Sequence, residues 1–410
     1  MKEKDIKPTA DTMRVVVIGD NIGLPNGFAP TSRLTLLAAS LKGDVKDIEI
    51  IIATPSEFYG KAINAEPKGF VKNIQYKYSC NTVIYSKHSI VRRIQSMLGI
   101  LYTSWYIVKN YRNDTYVVLA YVRKVQLLVS LSIVTKLTGG KLVLELCEWQ
   151  EALPTLNWFT RLNNKLFSLV IPNLVDGVIC ISDLIYDKLK KTQAYQKEIL
   201  KLIKVPILCD PIDFSEVSEK PNIKESYLMF SGNFSYEETI IFILESFSIL
   251  IATEKHIKLY ISGASTNPIY IERIKNNIDR LGLTQHINIL GYVDRDDLIN
   301  YYRNASCLLI PLFNDEVSNA RFPTKLAEYL LSGVPVITNK VGEVNNVLTD
   351  SVSAYLADAG NVAEYATAIQ RALNDQNSHN VAKQGRLVAL HHFDYKTHGK
   401  NMSNFFEKLY

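Results

Sequence analysis

Cysteine is sparse. Cys80, Cys147, Cys180, Cys209 and Cys307 are scattered through the chain, odd in number, with no C-x-x-C pair. That excludes a disulfide framework and the usual zinc spacings, and it fits a reducing compartment. Cys180 and Cys307 stand in apolar runs and read as small buried hydrophobes. Histidine is also rare, seven in all and never at H-x-x-x-H spacing. The adjacent His391 and His392 would face different sides of a helix. No run reaches the roughly 18 apolar residues of a spanning helix; the nearest candidate, residues 94–108, is interrupted by Gln95, Ser96, Thr103 and Ser104. A dominant charge is missing too: 46 basic and 41 acidic residues leave +5. That is too little for a nucleic-acid binder, but compatible with an anionic small substrate or an anionic membrane surface. There is no G-x-G-x-x-G, no P-loop and no G-x-S-x-G elbow, so dinucleotide, P-loop and elbow-serine chemistry have no support.

What the chain does have is length and alternation. Its 410 residues are too many for one ordinary core and predict two domains. Its 47% hydrophobic and 21% charged residues are ordinary for a folded, water-facing protein. The opening MKEKDIKPTADTMRVVVIGD is a charged leader running into a strand, not a signal-peptide pattern. Short apolar runs then alternate with longer amphipathic stretches, as in βα units and parallel sheets. Strands are expected at 15–18, 48–53, 116–120, 141–145 and 177–181, with helices at 32–41, 90–111, 125–137 and 157–170. VVVI and VICI are continuous in hydrophobics, as buried parallel strands are. Residues 207–225, rich in proline and charge, break the pattern and read as a linker. It restarts with strands at 227–230, 258–262, 287–290, 307–310, 336–338 and 354–356, and helices at 238–252, 268–281, 296–304, 323–331 and 362–373. The expected fold class is α/β: two Rossmann-like doubly wound domains, residues 1–206 and 226–390, facing across a cleft. Residues 391–410 are expected to form a C-terminal helix packing back on the first domain. Ligands of such sheets bind beyond the carboxyl ends of the strands, so loops that follow strands matter most.

The run from Asn319 to Thr338, NARFPTKLAEYLLSGVPVIT, says most about chemistry. Pro323 fits the first turn of a helix, and Gly333 fits its stop. The start of a helix offers free N–H groups and the positive end of a dipole, a ready anion site. Arg321 and Lys325 add two charges there and Thr324 adds a hydroxyl. A diphosphate matches these parts. Glu328 lies about one turn further on, where its carboxylate can accept from both hydroxyls of a ribose.

The pieces YLMFSGNF, IKLYISG, INILGYVDRDDLINYYRNASCLLIP, RFPTKLAEYLLSGVPVITNKVGEV and SAYLADAGNVAEYATAIQRAL stand in that order. Together they resemble the C-terminal domain of the retaining GT-B glycosyltransferases, in particular glycosyltransferase family 4. The resemblance implies a GT-B fold, a nucleotide diphosphate sugar as substrate, no metal or other cofactor, and transfer with retention. The acceptor it implies is a glycan or lipid-linked molecule in surface polysaccharide synthesis, at a cytoplasmic site. It assigns Arg321 and Lys325 to the leaving diphosphate, Glu328 to the ribose, and Gly232, Asn233, Phe322, Pro323 and Thr324 to donor binding. Two departures stand out. The family's acidic residue eight positions before the helix glutamate is Ala320 here, and the loop 232–238 has no basic residue. Arg321 and Lys325 are expected to supply that charge. A sugar-nucleotide epimerase of the same architecture, or a binding subunit without chemistry, fits the same residues.

In the first half, the strand at 15–18 leads into a loop with Gly23 and Gly27, which reads either as a plain turn or as a substrate loop. The family resemblance favours the second, facing the donor phosphates. Thr31 or Ser32 is expected to cap the next helix, with Arg33 just inside it. Glu148, past the strand at 141–145, is read as a sugar or acceptor contact, beside the plainer reading of a solvated loop carboxylate. Ser182 is expected to cap the helix at 183–190. Asp294, Asp296 and Asp297 resemble a D-x-D metal motif, but their place before a helix favours capping. The stretch from Ile90 to Arg112 is basic and amphipathic. It reads either as a core-facing helix with a solvated basic side or as peripheral docking on anionic lipid.

Overall fold

The computed structural model describes residues 8–60, 62–153, 157–215, 225–265 and 267–410. Two compact units divide the chain: one takes it up to Leu208 and again over Tyr395–Tyr410, and the other is Cys209–Asp394. Residues 216–224 of the expected linker and the first seven residues of the leader lie outside the described residues.

The first unit contains β1 (Arg14–Gly19), β2 (Asp47–Ile52), β3 (Glu57–Phe58), β4 (Lys68–Val71), β5 (Ile74–Tyr78), β6 (Ile84–Tyr85), β7 (Tyr116–Tyr121), β8 (Lys141–Leu146), β9 (Gly177–Cys180) and β10 (Lys201–Lys204). Its helices are α1 (Ala29–Leu41), α2 (Ser89–Tyr111), α3 (Val125–Thr138), α4 (Trp158–Leu174), α5 (Asp183–Lys190) and α6 (Gln193–Gln196). The sheet order is β10-β9-β8-β7-β1-β2-β5-β4, parallel except that β4 runs antiparallel to β5, and β3 pairs with β6 apart from it. The apolar runs of β1, β7, β8 and β9 lie in the buried centre. The strands that sequence reading missed are short or marginal. KGFV and KLIK carry lysines and are only partly buried, so no apolar run announces them.

The second unit contains β11 (Tyr227–Ser231), β12 (Lys258–Ser262), β13 (Ile287–Gly291), β14 (Cys307–Ile310), β15 (Val336–Asn339) and β16 (Tyr355–Ala357). They form one parallel sheet in the order β13-β12-β11-β14-β15-β16. The chain winds outward from β11 to β13, then returns to β14 on the other side, so the order reverses between β11 and β14. That reversal is where an open α/β sheet leaves a crevice at its carboxyl edge. The helices are α7 (Glu237–Leu250), α8 (Pro268–Arg280), α9 (Arg295–Asn304), α10 (Glu316–Ala320), α11 (Thr324–Leu331), α12 (Val344–Val347), α13 (Val362–Asn374) and α14 (Ser378–His392). Leu228, Ile243, Phe247, Leu259, Ile261 and Tyr365 lie in its core. A last helix, α15 (Tyr395–Glu407), packs on α1 of the first unit and sinks Met402, Phe405 and Phe406 into that core.

Three expectations about helices need correction. α1 starts at Ala29, three residues before the expected start, because Pro30 sits comfortably in its first turn. Thr31 is therefore no cap: its hydroxyl donates to the Gly23 carbonyl at 2.7 Å. α2 does not turn its large apolar side to the core. Gly99, Thr103, Ile107 and Tyr111 face inward, and Ile94, Leu98, Leu101 and Trp105 are exposed. Asp294 takes the N-cap position of α9 but makes no side-chain capping bond, so its help is electrostatic, with Asp296 and Asp297 in the first turn. Ser182 does cap α5, accepting from the Ile185 N–H at 3.4 Å.

Candidate functional site

At the carboxyl edge of the second unit's sheet, β11 ends on Ser231, and α11 is pinned to that end by two side chains. The Lys325 ammonium donates to Ser231 Oγ at 2.7 Å, and the Ser231 N–H donates to the Tyr329 hydroxyl at 2.9 Å. Tyr329 is buried and packs edge-on against Tyr302, with ring centroids 4.7 Å apart. Burial pushes both phenols up, keeping them neutral. α11 is short, and Pro323 serves as its N-cap rather than its first residue. The Leu326 N–H turns back to the Pro323 carbonyl at 2.9 Å. The N–H groups of Thr324 and Lys325 have no carbonyl a full turn ahead of them in the helix.

Lys325 is half-buried, and burial draws its ammonium down from 10.5 to about 8, with Glu328 pulling the other way. Arg321 stands just before the helix, its guanidinium 5.4 Å from the Tyr236 ring centroid and 3.3 Å from the Tyr236 hydroxyl. Tyr236 belongs to the loop that lacks basic residues, so that loop faces a cation instead of carrying one. Glu328 Oε1 accepts from Arg295 at 3.0 Å, and Arg295 also donates to Asp213 at 2.8 Å. The ribose-binding candidate is thus held by a guanidinium that sequence reading placed among helix-capping residues. Arg295 and Asp213 were missed because they lie far from Glu328 along the chain. Only the place of Arg295 shortly after β13 pointed toward the site.

Other assigned residues make contacts within the fold. The Phe322 side chain is buried against Phe393, with ring centroids 5.4 Å apart, which leaves its backbone rather than its ring toward the helix mouth. Asn233 Oδ1 accepts from the Ser235 N–H at 2.8 Å and shapes its own turn. Gly232 meets Gly263 backbone to backbone: Gly263 has φ +149°, and a Cβ there would overlap the Gly232 carbonyl oxygen. Ala320 is buried.

In the first unit Gly23 and Gly27 are crowded by the chain itself. A Cβ on Gly27 would overlap the Thr31 hydroxyl, and one on Gly23 would touch Asn26, Asn64 and Glu57. Their close approach is to α1 and the neighbouring loops. Glu148 pairs with Arg123 at 3.0 Å. Nearby loops at the same sheet edge add Asp20, which accepts from Thr54 at 2.7 Å and from Lys124 at 2.9 Å. These residues follow β1, β2, β7 and β8, a polar group at the strand ends that sequence reading found only through Glu148. Deeper, Arg33 and Glu145 form a fully buried ion pair at 2.9 Å, and Arg33 also donates to the carbonyls of Val205 and Pro206. Burial pushes the Glu145 carboxyl up against the pull of Arg33. Among the described residues, no three His, Cys, Asp or Glu side chains gather as metal ligands would.

Solved structures align with this chain over nearly its whole length. A sucrose-phosphate synthase of Thermosynechococcus elongatus superposes with a TM-score of 0.73 at 14% identity, covering 97% of this chain and 99% of that one. A glycosyltransferase of Rickettsia africae gives 0.69 at 15% identity, with coverage of 97% and 99%. The Anabaena protein HepE, in complex with UDP-glucose, gives 0.69 at 14% identity, covering 97% of this chain and 100% of that one. The chain has the GT-B fold. Within it, residues 212–387 match the family model described as glycosyl transferases group 1. The matched part of this GT-B chain contains β11 to β16 and all of α11. Among curated proteins, a lipopolysaccharide 1,2-N-acetylglucosaminetransferase of Salmonella typhimurium is 24% identical over 200 residues, 46% of this chain and 51% of that protein. An uncharacterised glycosyltransferase of Methanocaldococcus jannaschii is 24% identical over 152 residues, 37% of this chain and 36% of its own. The chain spans about half or less of the length of these curated relatives.

Proposed function

We propose that this protein is a glycosyltransferase of family 4 that moves a sugar from a nucleoside diphosphate sugar to a glycan or lipid-linked acceptor, with retention, in surface polysaccharide synthesis. The mouth of α11 carries the reading: Lys325 anchored on Ser231, Arg321 beside the first turn, and Glu328 aimed by Arg295. All five belong to the stretch that matches the family model. The likeness to HepE, solved with UDP-glucose, supports a donor of this class.

The diphosphate sits on the first-turn N–H groups of α11, with Arg321 and Lys325 neutralising charge as the glycosidic bond breaks. Glu328, kept in place by Arg295, accepts from the ribose hydroxyls. The polar group of Asp20, Arg123, Lys124 and Glu148 takes the sugar or acceptor. No metal is required in this scheme, and the protein works in the cytoplasm. A thermal-shift screen against nucleotides and nucleotide sugars tests it first, because a ligand of the native state raises the melting point. Lys325→Ala is then expected to lower kcat by about 100-fold or more while the fold stays intact by circular dichroism. Wild-type turnover in that variant removes Lys325 from the mechanism. Conversion of the nucleotide sugar without acceptor would instead identify an epimerase, and the anomeric configuration of the product decides retention.

A further inference from the structure

α2 and α4 both leave large apolar side chains exposed. α2 sits on the unit by its small side: Gly99 lies so close that a Cβ would overlap the Ala53 carbonyl, and the Thr103 hydroxyl bonds Ser79 at 2.7 Å. Its broad apolar side points away, with Ile90 72%, Leu101 60% and Trp105 58% exposed. α4 buries Asn164, Phe167, Ser168 and Ile171, and leaves Trp158 63% and Leu169 68% exposed, with Leu162 and Leu166 between them. α3 lies between the two. Ser130 on α3 bonds Ser104 of α2 at 2.7 Å, and Ser132 donates to the Leu174 carbonyl of α4 at 2.6 Å. It adds exposed Ile133 and Leu137. Exposed apolar side chains thus line three neighbouring helices, and so many together on a folded protein mark something that covers them.

Charge identifies the cover. α2, α3 and α4 contain no aspartate or glutamate, while Arg93, Lys109, Lys136, Arg161 and Lys165 are all exposed. A second copy docking face to face would set these cations against one another without a counter-charge. Trp105 lies under the Lys109 ammonium at 4.8 Å, and Trp158 stacks on Phe159 with centroids 3.6 Å apart. Aromatic and basic side chains together suit the boundary between lipid headgroups and acyl chains. Among the described residues no helix is long and apolar enough to cross a membrane, so such a surface rests on a bilayer rather than spanning it.

We propose that the outer face of α2, α3 and α4 is a docking surface for an anionic lipid bilayer. It widens the single amphipathic helix of the sequence to a three-helix platform, and it stands independently of the transferase reading. The test is vesicle flotation with no sugar donor or acceptor present, comparing phosphatidylcholine vesicles with an equal mixture of phosphatidylcholine and phosphatidylglycerol. Wild-type protein is expected to bind the anionic vesicles at least about tenfold better, less so in high salt, with Trp105 and Trp158 emission moving to the blue. Leu101→Glu on α2 and Leu162→Glu on α4 should each weaken binding several-fold at an unchanged melting point. Arg93→Glu with Lys165→Glu should erase the preference for anionic lipid without touching the apolar contacts. Equal binding to both vesicle types, no binding, or flotation unaffected by the α4 variant would overturn the proposal. So would a wild-type dimer in sedimentation that Leu101→Glu dissolves while no vesicle binding occurs.

Discussion

Raising the pH from 7 to 9 is expected to weaken binding of a nucleoside diphosphate by about tenfold, through one side chain. Lys325 titrates at about 8 in the unliganded protein because its ammonium is buried beside the Ser231 hydroxyl. About nine-tenths of it is charged at pH 7 and about one-tenth at pH 9. A bound diphosphate restores the charge, so binding at pH 9 must take up close to one proton, at a cost of about 1.4 kcal/mol. Isothermal titration in two buffers of different ionisation heat reads both the affinity and the proton. Lys325→Met should bind more weakly at pH 7 and lose the slope, whereas Lys325→Arg should keep the affinity and also flatten it. Without ligand the sign is opposite for stability. Between about 8 and 10.5 the unfolded chain still holds a proton that the folded protein has shed, so the Lys325 contribution rises with pH. An equal slope in Lys325→Met, or no proton uptake at pH 9, would refute the placement of the phosphates at this lysine.

Glu328→Gln should weaken nucleoside diphosphate binding about tenfold to a hundredfold and erase discrimination against the 2′-deoxy nucleotide, measured by competition. Arg295→Gln should raise the donor KM more than it lowers kcat, because Arg295 aims Glu328 and touches no reacting atom. Arg33→Met leaves Glu145 buried without its cation and should cost about 3–5 kcal/mol in urea denaturation, largely recovered by adding Glu145→Leu. Gly263→Ala must separate two loops that meet backbone to backbone at a positive φ, and should lower stability by about 1–3 kcal/mol in thermal unfolding.

The legible parts of this chain were those where local chemistry decides. VVVI and VICI became β1 and β9 because a strand buried on both faces has to be apolar throughout. α11 was visible from its ends, with Pro323 before it and Gly333 at φ +72° after it. Two kinds of information were not local. Periodicity shows which residues of α2 share a side, but not which side turns inward; Gly99 and its fit to Ala53 settled that, and no pattern of apolar spacing contains it. Likewise Ser231, Arg295 and Asp213 approach Lys325 and Glu328 only through the winding of the sheet. Gly23 and Gly27 were read for the freedom they give the backbone; neither has a positive φ, and it is the missing Cβ that makes room for Thr31 and Asn64.

The connectivity of the first unit sets an order of events during synthesis. Its polypeptide is interrupted after Leu208 and resumes only at Tyr395, and the two crossings run side by side where the Cys209 N–H donates to the Phe393 carbonyl at 2.8 Å. Gly177 on β9 lacks a Cβ at the spot where the Phe405 ring meets the sheet. Until the ribosome has delivered α15, that patch and the oily pockets for Met402 and Phe406 stand open to water. The nascent N-terminal unit must therefore wait, incomplete, while the whole of its neighbour emerges, so truncation at residue 208 should yield a sticky, aggregation-prone fragment rather than an independent domain.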